Sequence, residues 1–224
     1  MIWVTGDTHG MNDTAKLGHW TERENMTKQD YVIIAGDFGL IFNCGEVRQA
    51  LWNDWYDELE FTTLFVDGNH ENFDLLNAYP VEIWNGGKIH RITDSVFHLM
   101  RGQVFTINGL KFFTMGGAYS IDKPLRRPFV SWWPQEMPSY AECAEALMNL
   151  EDHGNEVDYI VTHTAPLSVI RQFYDPLYEK PLNQFLDTVK DTVKFKKWYF
   201  GHIHKDVEIN EQFRLLYHDI IRIV

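Results

Sequence analysis

Short runs of consecutive apolar residues alternate along the chain with longer stretches in which apolar positions return every third or fourth residue. Ile2–Thr5, Tyr31–Ala35 and Thr63–Val66 are β-rich, lack alternating polarity and are closed by glycine or a polar turn. That is the pattern of strands covered on both faces. Between the second and third, Glu46–Leu59 carries Val47, Leu51, Trp55 and Leu59 at steps of four, which predicts a helix with that stripe against the core. The rhythm is βαβ.

From Val81 to Met115 the pattern becomes more densely β. Ile89–Ile92, Val96–Met100, Val104–Ile107 and Leu110–Met115 read as strands, broken by Gly86-Gly87, Arg101-Gly102 and Asn108-Gly109. Asn-Gly between two apolar runs predicts a two-residue hairpin. Ser139 followed by Glu142 forms a capping-box pattern, and Cys143, Leu147 and Leu150 continue on one helical face. Tyr159–Thr162 is a further buried strand, and Leu182, Phe185, Leu186, Val189 and Val193 mark an amphipathic helix. Lys197–Phe200, Val207–Ile209, Phe213–His218 and Ile220–Val224 give a β-rich tail. No repeat, low-complexity stretch or linker interrupts this order, so residues 1–224 are expected to form one domain.

Composition narrows the function. Twenty Lys and Arg against thirty-two Asp and Glu leave a net charge of −12 over 224 residues. Such a surface opposes sequence-blind binding to nucleic acid or anionic membranes, which rests on neutralising phosphates. No apolar run reaches the roughly 18 residues of a spanning helix, and the opening residues lack the basic region of a signal peptide. Cys44 and Cys143 are too few for a disulfide framework and read as buried small hydrophobes, so a cytoplasmic location is expected.

The candidate chemistry sits where the strands stop. Asp7-Thr8-His9, Gly36-Asp37, Gly68-Asn69-His70-Glu71, His163 and Gly201-His202-Ile203-His204 each follow a buried-type strand. Ligands of α/β sheets bind at the carboxyl ends of strands, so five clusters share one rim. Asp, Asn and His without thiolate suit Mn, Fe, Zn or Ni, with Mn the first expectation. Asp7, His9, Asp37, Asn69, His163, His202 and His204 are too many donors for one ion. Two ions about 3.5–4 Å apart would use them all, with Asp37, in the middle of the set, as the bridge. The glycines before Asp37, Asn69 and His202 are expected to let the backbone turn sharply.

The order Asp-x-His, Gly-Asp, Gly-Asn-His-Glu, His, Gly-His-x-His resembles the calcineurin-like metallophosphoesterase family from Asp7 to His204. The resemblance implies an α/β fold, a four-layer αββα sandwich of two mixed β-sheets flanked by helices. It implies Asp7, His9, Asp37 and His204 around one ion, and Asp37, Asn69, His163 and His202 around the other. It also implies that His70 is not a ligand but contacts the phosphate and protonates the leaving oxygen. Elementary chemistry agrees: two ions lower the pKa of a shared water toward roughly 7, giving a hydroxide that attacks phosphorus in line. A histidine titrates in the range an acid needs. One departure stands out: Phe38-Gly39-Leu40 follows Asp37, where many relatives have a further Asp and phosphoprotein phosphatases an Arg.

The expected activity is hydrolysis of a phosphomonoester or phosphodiester of a small molecule or nucleotide. A nuclease acting on nucleic-acid ends is the alternative within enzymes, and a non-catalytic scaffold the alternative outside them. Long duplex nucleic acid and membranes are not expected partners, and a homo-oligomer is left open. Gly116–Pro138 is too long and irregular for a plain connection and too aromatic for disorder. It is expected to cap the site, with Arg126 and Arg127 touching phosphate and Tyr119 or Trp132 meeting a flat group. Arg171–Lys180, with Tyr174 and Tyr178, is a second candidate wall. Trp132-Trp133 read as exposed aromatics that could equally mark a dimer contact. Glu71 is either a partner of His70 or the metal, or an exposed carboxylate. His98 is expected to be a hydrogen-bonded core residue, and His19, His90, His153 and His218 are assigned to no metal.

Overall fold

The apolar runs become strands of two mixed sheets in a computed structural model that describes residues 1–10, 12–42 and 45–224. Cys44 lies outside the described residues. The first sheet comprises β1 (Ile2–Thr5), β2 (Tyr31–Ile34), β3 (Thr62–Phe65), β4 (Val81–Trp84), β5 (Gly87–Arg91), β6 (Val96–Leu99) and β13 (Ile220–Arg222). Their order is β13-β1-β2-β3-β6-β5-β4. The second comprises β7 (Gln103–Ile107), β8 (Leu110–Met115), β9 (Tyr159–Thr162), β10 (Lys197–Phe200), β11 (Val207–Glu208) and β12 (Phe213–Leu215). They lie in the order β11-β12-β10-β9-β8-β7. Both sheets have a parallel centre and antiparallel edges. The site-bearing strands β1, β2, β3, β9 and β10 therefore run centrally, with covered faces.

Three apolar clusters make the four layers. Ile2, Val4, Ile33, Leu64 and Leu99 of the first sheet meet Phe105, Ile107, Phe112 and Val161 of the second. The other face of the first sheet, with Val32, Ile34 and Phe65, is covered from α1 (Ala15–His19) by Leu17, α2 (Glu46–Glu58) by Tyr56 and α3 (Phe73–Leu76) by Phe73. The other face of the second, with Phe113, Ile160 and Trp198, is covered by α4 (Tyr140–Asp152), α5 (Leu167–Ile170) and α6 (Lys180–Thr192). This is the αββα sandwich expected from the sequence.

Local signals map well. Ile107 pairs with Leu110 across Asn108 and Gly109, both at positive φ, as an Asn-Gly hairpin requires. Ser139 Oγ accepts from the Glu142 N–H, and the Glu142 side chain answers the Ser139 N–H, completing the capping box. His98 is buried between His90 and Asp67, at 3.1 Å from each.

Other expectations need correction. In α2, Val47 is 79% and Leu51 65% exposed, while Tyr56 is buried and Trp52 and Trp55 half-buried. Steps of four overshoot a turn of 3.6 residues by about 40° each, so the stripe winds around the helix: Trp55 and Leu59 meet the core and Val47 and Leu51 do not. Trp133 is buried, donating from Nε1 to Asp74 Oδ2 at 2.8 Å, and marks no exposed contact. Cys143 is half-buried. Strand β4 was not among the expected strands. It pairs at the sheet edge through the Asn85-Gly86 turn, one residue before the expected break.

Candidate metal centre

Each of the five clusters leaves a strand at the same end of the sandwich. Four of the residues read as donors carry backbone strain: His9 (φ 43°), Asp37 (φ 45°), His202 (φ 70°) and His204 (φ 53°) occupy the left-handed region. Side-chain-bearing residues hold that conformation only where surrounding contacts impose it. The contacts are hydrogen bonds between the loops. His9 N–H donates to the Asp37 carbonyl at 2.8 Å, His202 N–H to Asp7 Oδ1 at 3.1 Å, and His70 N–H to Asp37 Oδ1 at 2.8 Å.

The side chains converge as two groups sharing one carboxylate. Asp7, His9, Asp37 and His204 present ligand atoms within 4.8 Å of one another, and so do Asp37, His163 and His202. His9 Nε2 lies 3.3 Å and His163 Nε2 3.4 Å from Asp37 Oδ2, and His204 Nε2 3.2 Å from Asp7 Oδ2. Asn69, which the sequence places with the second group, has Oδ1 at 3.2 Å from His163 Nε2. Atoms held about 2.1 Å from a common ion stand roughly 3.0–3.4 Å apart in octahedral or tetrahedral arrangement, so the spacing fits a cation. His9 Nε2 is buried and has no hydrogen-bond partner among the described residues, a cost that a bound ion would remove.

Contacts behind the cluster set which ring nitrogen faces it. His163 Nδ1 lies 2.9 Å from the Ala35 carbonyl and His9 Nδ1 2.7 Å from Asp13 Oδ2, turning each Nε2 inward. Asp13 also accepts from the Tyr217 hydroxyl at 3.1 Å, and Tyr217 stacks on His204 with centroids 4.7 Å apart. Glu179 Oε2 lies 3.3 Å from His202 Nε2. Burial pushes the Glu179 carboxyl up, but His202 reverses this and holds it at about 2. Burial works to strip protons from His9 and His163, yet Asp37 and Asp7 overcome it, raising His9 and holding His163 up to about 10. Burial works against the Asp7 and Asp37 carboxylates, but His204 and then His163 hold Asp7 low, and His163 and then His9 hold Asp37 low. The cluster thus draws positive charge, which protons or metal ions can supply.

Close packing explains two glycines better than turn geometry does. Gly36 has φ +97° and does turn the backbone. A Cβ on Gly68 would lie 2.0 Å from Asp37 Oδ1, and one on Gly201 2.1 Å from Asp7 Oδ1. These glycines make room for carboxylates. Glu71 is neither exposed nor in contact with His70: it is fully buried and accepts from Phe38 N–H at 2.7 Å and Gly39 N–H at 3.2 Å. It clasps the turn after Asp37, as Asp37 clasps the His70 amide.

Residues 116–138 join β8 to α4 through two short 3-10 turns, Lys123–Leu125 and Pro134–Glu136. Arg126 reaches the centre: Nη2 lies 3.2 and 3.3 Å from the two ring nitrogens of His70, and Nε donates to Asp122 at 2.7 Å. Arg127 does not reach it in the same way. It is exposed, and its backbone closes a turn with Ser131. Trp132 and Tyr119 flank Lys123, whose ammonium lies 4.6 and 3.6 Å from their ring centres. Tyr119 also stacks on Tyr178 at 5.0 Å, bringing the second candidate wall to the first.

Sequence reasoning did not single out Asp13, Lys16, Glu179 or Tyr217. Lys16 donates to the carbonyls of Gly6, Asp7 and Tyr217 behind the cluster, and burial lowers its ammonium to about 8. Asp13 had a readable signal, four residues after His9. A family model described as calcineurin-like phosphoesterase matches residues 1–206. A lariat debranching enzyme of Entamoeba histolytica is 25% identical over 182 residues, which cover 72% of this chain and 48% of that protein. The chain therefore spans about half the length of the curated relative it matches.

Proposed function

The chain belongs to the calcineurin-like phosphoesterase family, and from that premise we propose that it hydrolyses phosphate esters with two divalent ions. The observation that carries the reading is the pair of donor groups sharing Asp37. One ion would be held by Asp7, His9, Asp37 and His204, the other by Asp37, Asn69, His163 and His202. When bound, the ions would supply Lewis acidity toward phosphoryl oxygens and activate a water, and Mn²⁺ suits this nitrogen and oxygen set.

The chain's own residues do the rest. Asp37 faces both groups and fixes the His70 amide, which places the imidazole at the rim. His70 hands a proton to the leaving oxygen. Burial pushes its pKa below the ordinary histidine value, Asp37 opposes that, and Arg126 adds to the lowering. Arg126 lies where it can take a phosphoryl oxygen as the ester enters. Residues 116–138 cap the site within a single domain, with Tyr119 and Trp132 lining it.

The substrate class proposed is a phosphomonoester or phosphodiester of a small molecule or nucleotide. Action on nucleic-acid ends is the second reading. It draws on the name of the Entamoeba relative, and the net charge of −12 works against it. The test pairs metal analysis with hydrolysis of bis- and mono-p-nitrophenyl phosphate in Mn²⁺, using Asp37→Asn and His70→Ala as controls. Two ions per chain are expected, with turnover lost in Asp37→Asn and reduced far less in His70→Ala, because p-nitrophenolate leaves with little protonation. Full turnover without metal, or in Asp37→Asn, would overturn the proposal.

A further inference from the structure

The 116–138 segment touches the donor cluster at Asn69, and the contact is buried on both sides. Asn69 is 5% and Ser120 2% exposed. The amide has two unlike ends, an accepting oxygen and a donating nitrogen, and only the oxygen can serve a cation. Oδ1 points toward His163 Nε2 and hence toward the Asp37–His163–His202 group. Nδ2 points the other way and donates to Ser120 Oγ at 3.1 Å.

Ser120 is itself held. Its N–H donates to Glu136 Oε1 at 2.9 Å, and that fully buried carboxylate pairs with the Lys123 ammonium between Tyr119 and Trp132. Without Ser120 Oγ the donating end of the amide would be buried and unpartnered, a costly state. The amide can relieve this by rotating to seek another acceptor. That rotation withdraws the oxygen from the ion.

We propose that Ser120, held by Glu136, is a positioning residue that keeps the Asn69 oxygen toward the ion of the Asp37–His163–His202 group. The seating of residues 116–138 and the affinity of that ion are then one linked property. The inference rests on the two-ion reading above, because it assigns Asn69 to the second ion.

The experiment is calorimetric titration of Mn²⁺ into the metal-stripped full chain, with circular dichroism confirming the fold of each variant. Ser120→Ala should weaken one of the two ions by about tenfold or more, the usual effect of losing a partner behind a ligand, and leave the other unchanged. Ser120→Cys, near in size but a poorer acceptor, should fall between, and it carries the test if the alanine variant does not fold. Asn69→Asp offers oxygen at both ends of the side chain, so adding Ser120→Ala to it should cause little further loss. Two wild-type affinities in Ser120→Ala, or an equal loss in the Asn69→Asp background, would overturn the proposal. A wild-type chain that takes up fewer than two ions would overturn the two-ion reading itself, and the inference with it.

Discussion

Replacing Arg101 with leucine should destabilise the protein far more than a surface substitution. Arg101 is 8% and Asp67 1% exposed, and Nε and Nη2 donate to Asp67 Oδ2 at 2.9 and 2.5 Å. Nη2 also reaches the Gln135 carbonyl at 2.8 Å, while the Asp67 carbonyl accepts from Gly117 N–H at 2.9 Å. The pair thus ties both ends of the 116–138 segment to the end of β3. Leucine would leave a buried carboxylate with His98 as its remaining side-chain partner. Breaking a buried pair from one side costs about 3–5 kcal/mol. At roughly 2–4 °C per kcal/mol for a chain of this size, Tm should fall by roughly 6–20 °C at pH 7. Burial raises the Asp67 carboxyl, but Arg101 and then His98 hold it well below the usual range. A depressed carboxyl contributes stability above its unfolded pKa of about 3.9 and loses it as pH falls toward the folded value. Without Arg101 the folded value rises, so the gap between wild type and variant should be full at pH 7 and narrow below about pH 4. Thermal melts of both proteins across that range measure it. A variant melting within about 2 °C of wild type at pH 7, or a gap independent of pH, would refute the reasoning.

Gly68→Ala places a Cβ 2.0 Å from Asp37 Oδ1. It should displace that carboxylate and lower kcat by about a hundredfold, the cost of a roughly 1 Å misplacement, with Mn²⁺ uptake weakened in parallel. A variant that keeps both would show that the loop yields cheaply. Chelation should lower Tm, and Mn²⁺ at a hundred times its Kd should restore about 2.7 kcal/mol, read by scanning calorimetry with and without EDTA. His70→Ala should slow esters with poor leaving groups by about 10²–10⁴, and p-nitrophenyl esters much less, since a good leaving group needs little protonation. Equal losses on both substrates would remove His70 from the role of acid.

The strands and the clustered Asp, Asn and His side chains at their ends were legible because both are local. An apolar run closed by glycine and followed by Asp, Asn or His states a strand and its terminal chemistry in six or seven residues. The Asn108-Gly109 hairpin and the Ser139–Glu142 capping box are equally local. What supports the donors is not. Glu179 reaches His202 and Tyr217 reaches Asp13 from elements far along the chain, so no spacing announces them. Arg101 read as a strand breaker beside Gly102, because its partner Asp67 lies in the loop after β3, far away in sequence. The α2 stripe held only in its second half for a different reason: regular steps of four look periodic but drift around the helix, and the Trp52–Leu59 end is the one that meets the core. Gly68 and Gly201 were recognised as necessary, but for turning rather than for the carboxylates they accommodate.

The two sheets contribute unequally in time as well as in space. Asp7, Asp37 and Asn69 belong to strand ends of the first sheet, and His163, His202 and His204 to those of the second. As the polypeptide emerges in sequence, both carboxylates come first, with His9 alone of the ligand imidazoles beside them. His163, His202 and His204 arrive more than a hundred residues later. A partly synthesised chain therefore holds neither complete donor group, and docking of the second sheet completes both at once. Assembly of the centre then acts as a maturity check: both donor groups are complete only when the last central strand, β10, has found its place.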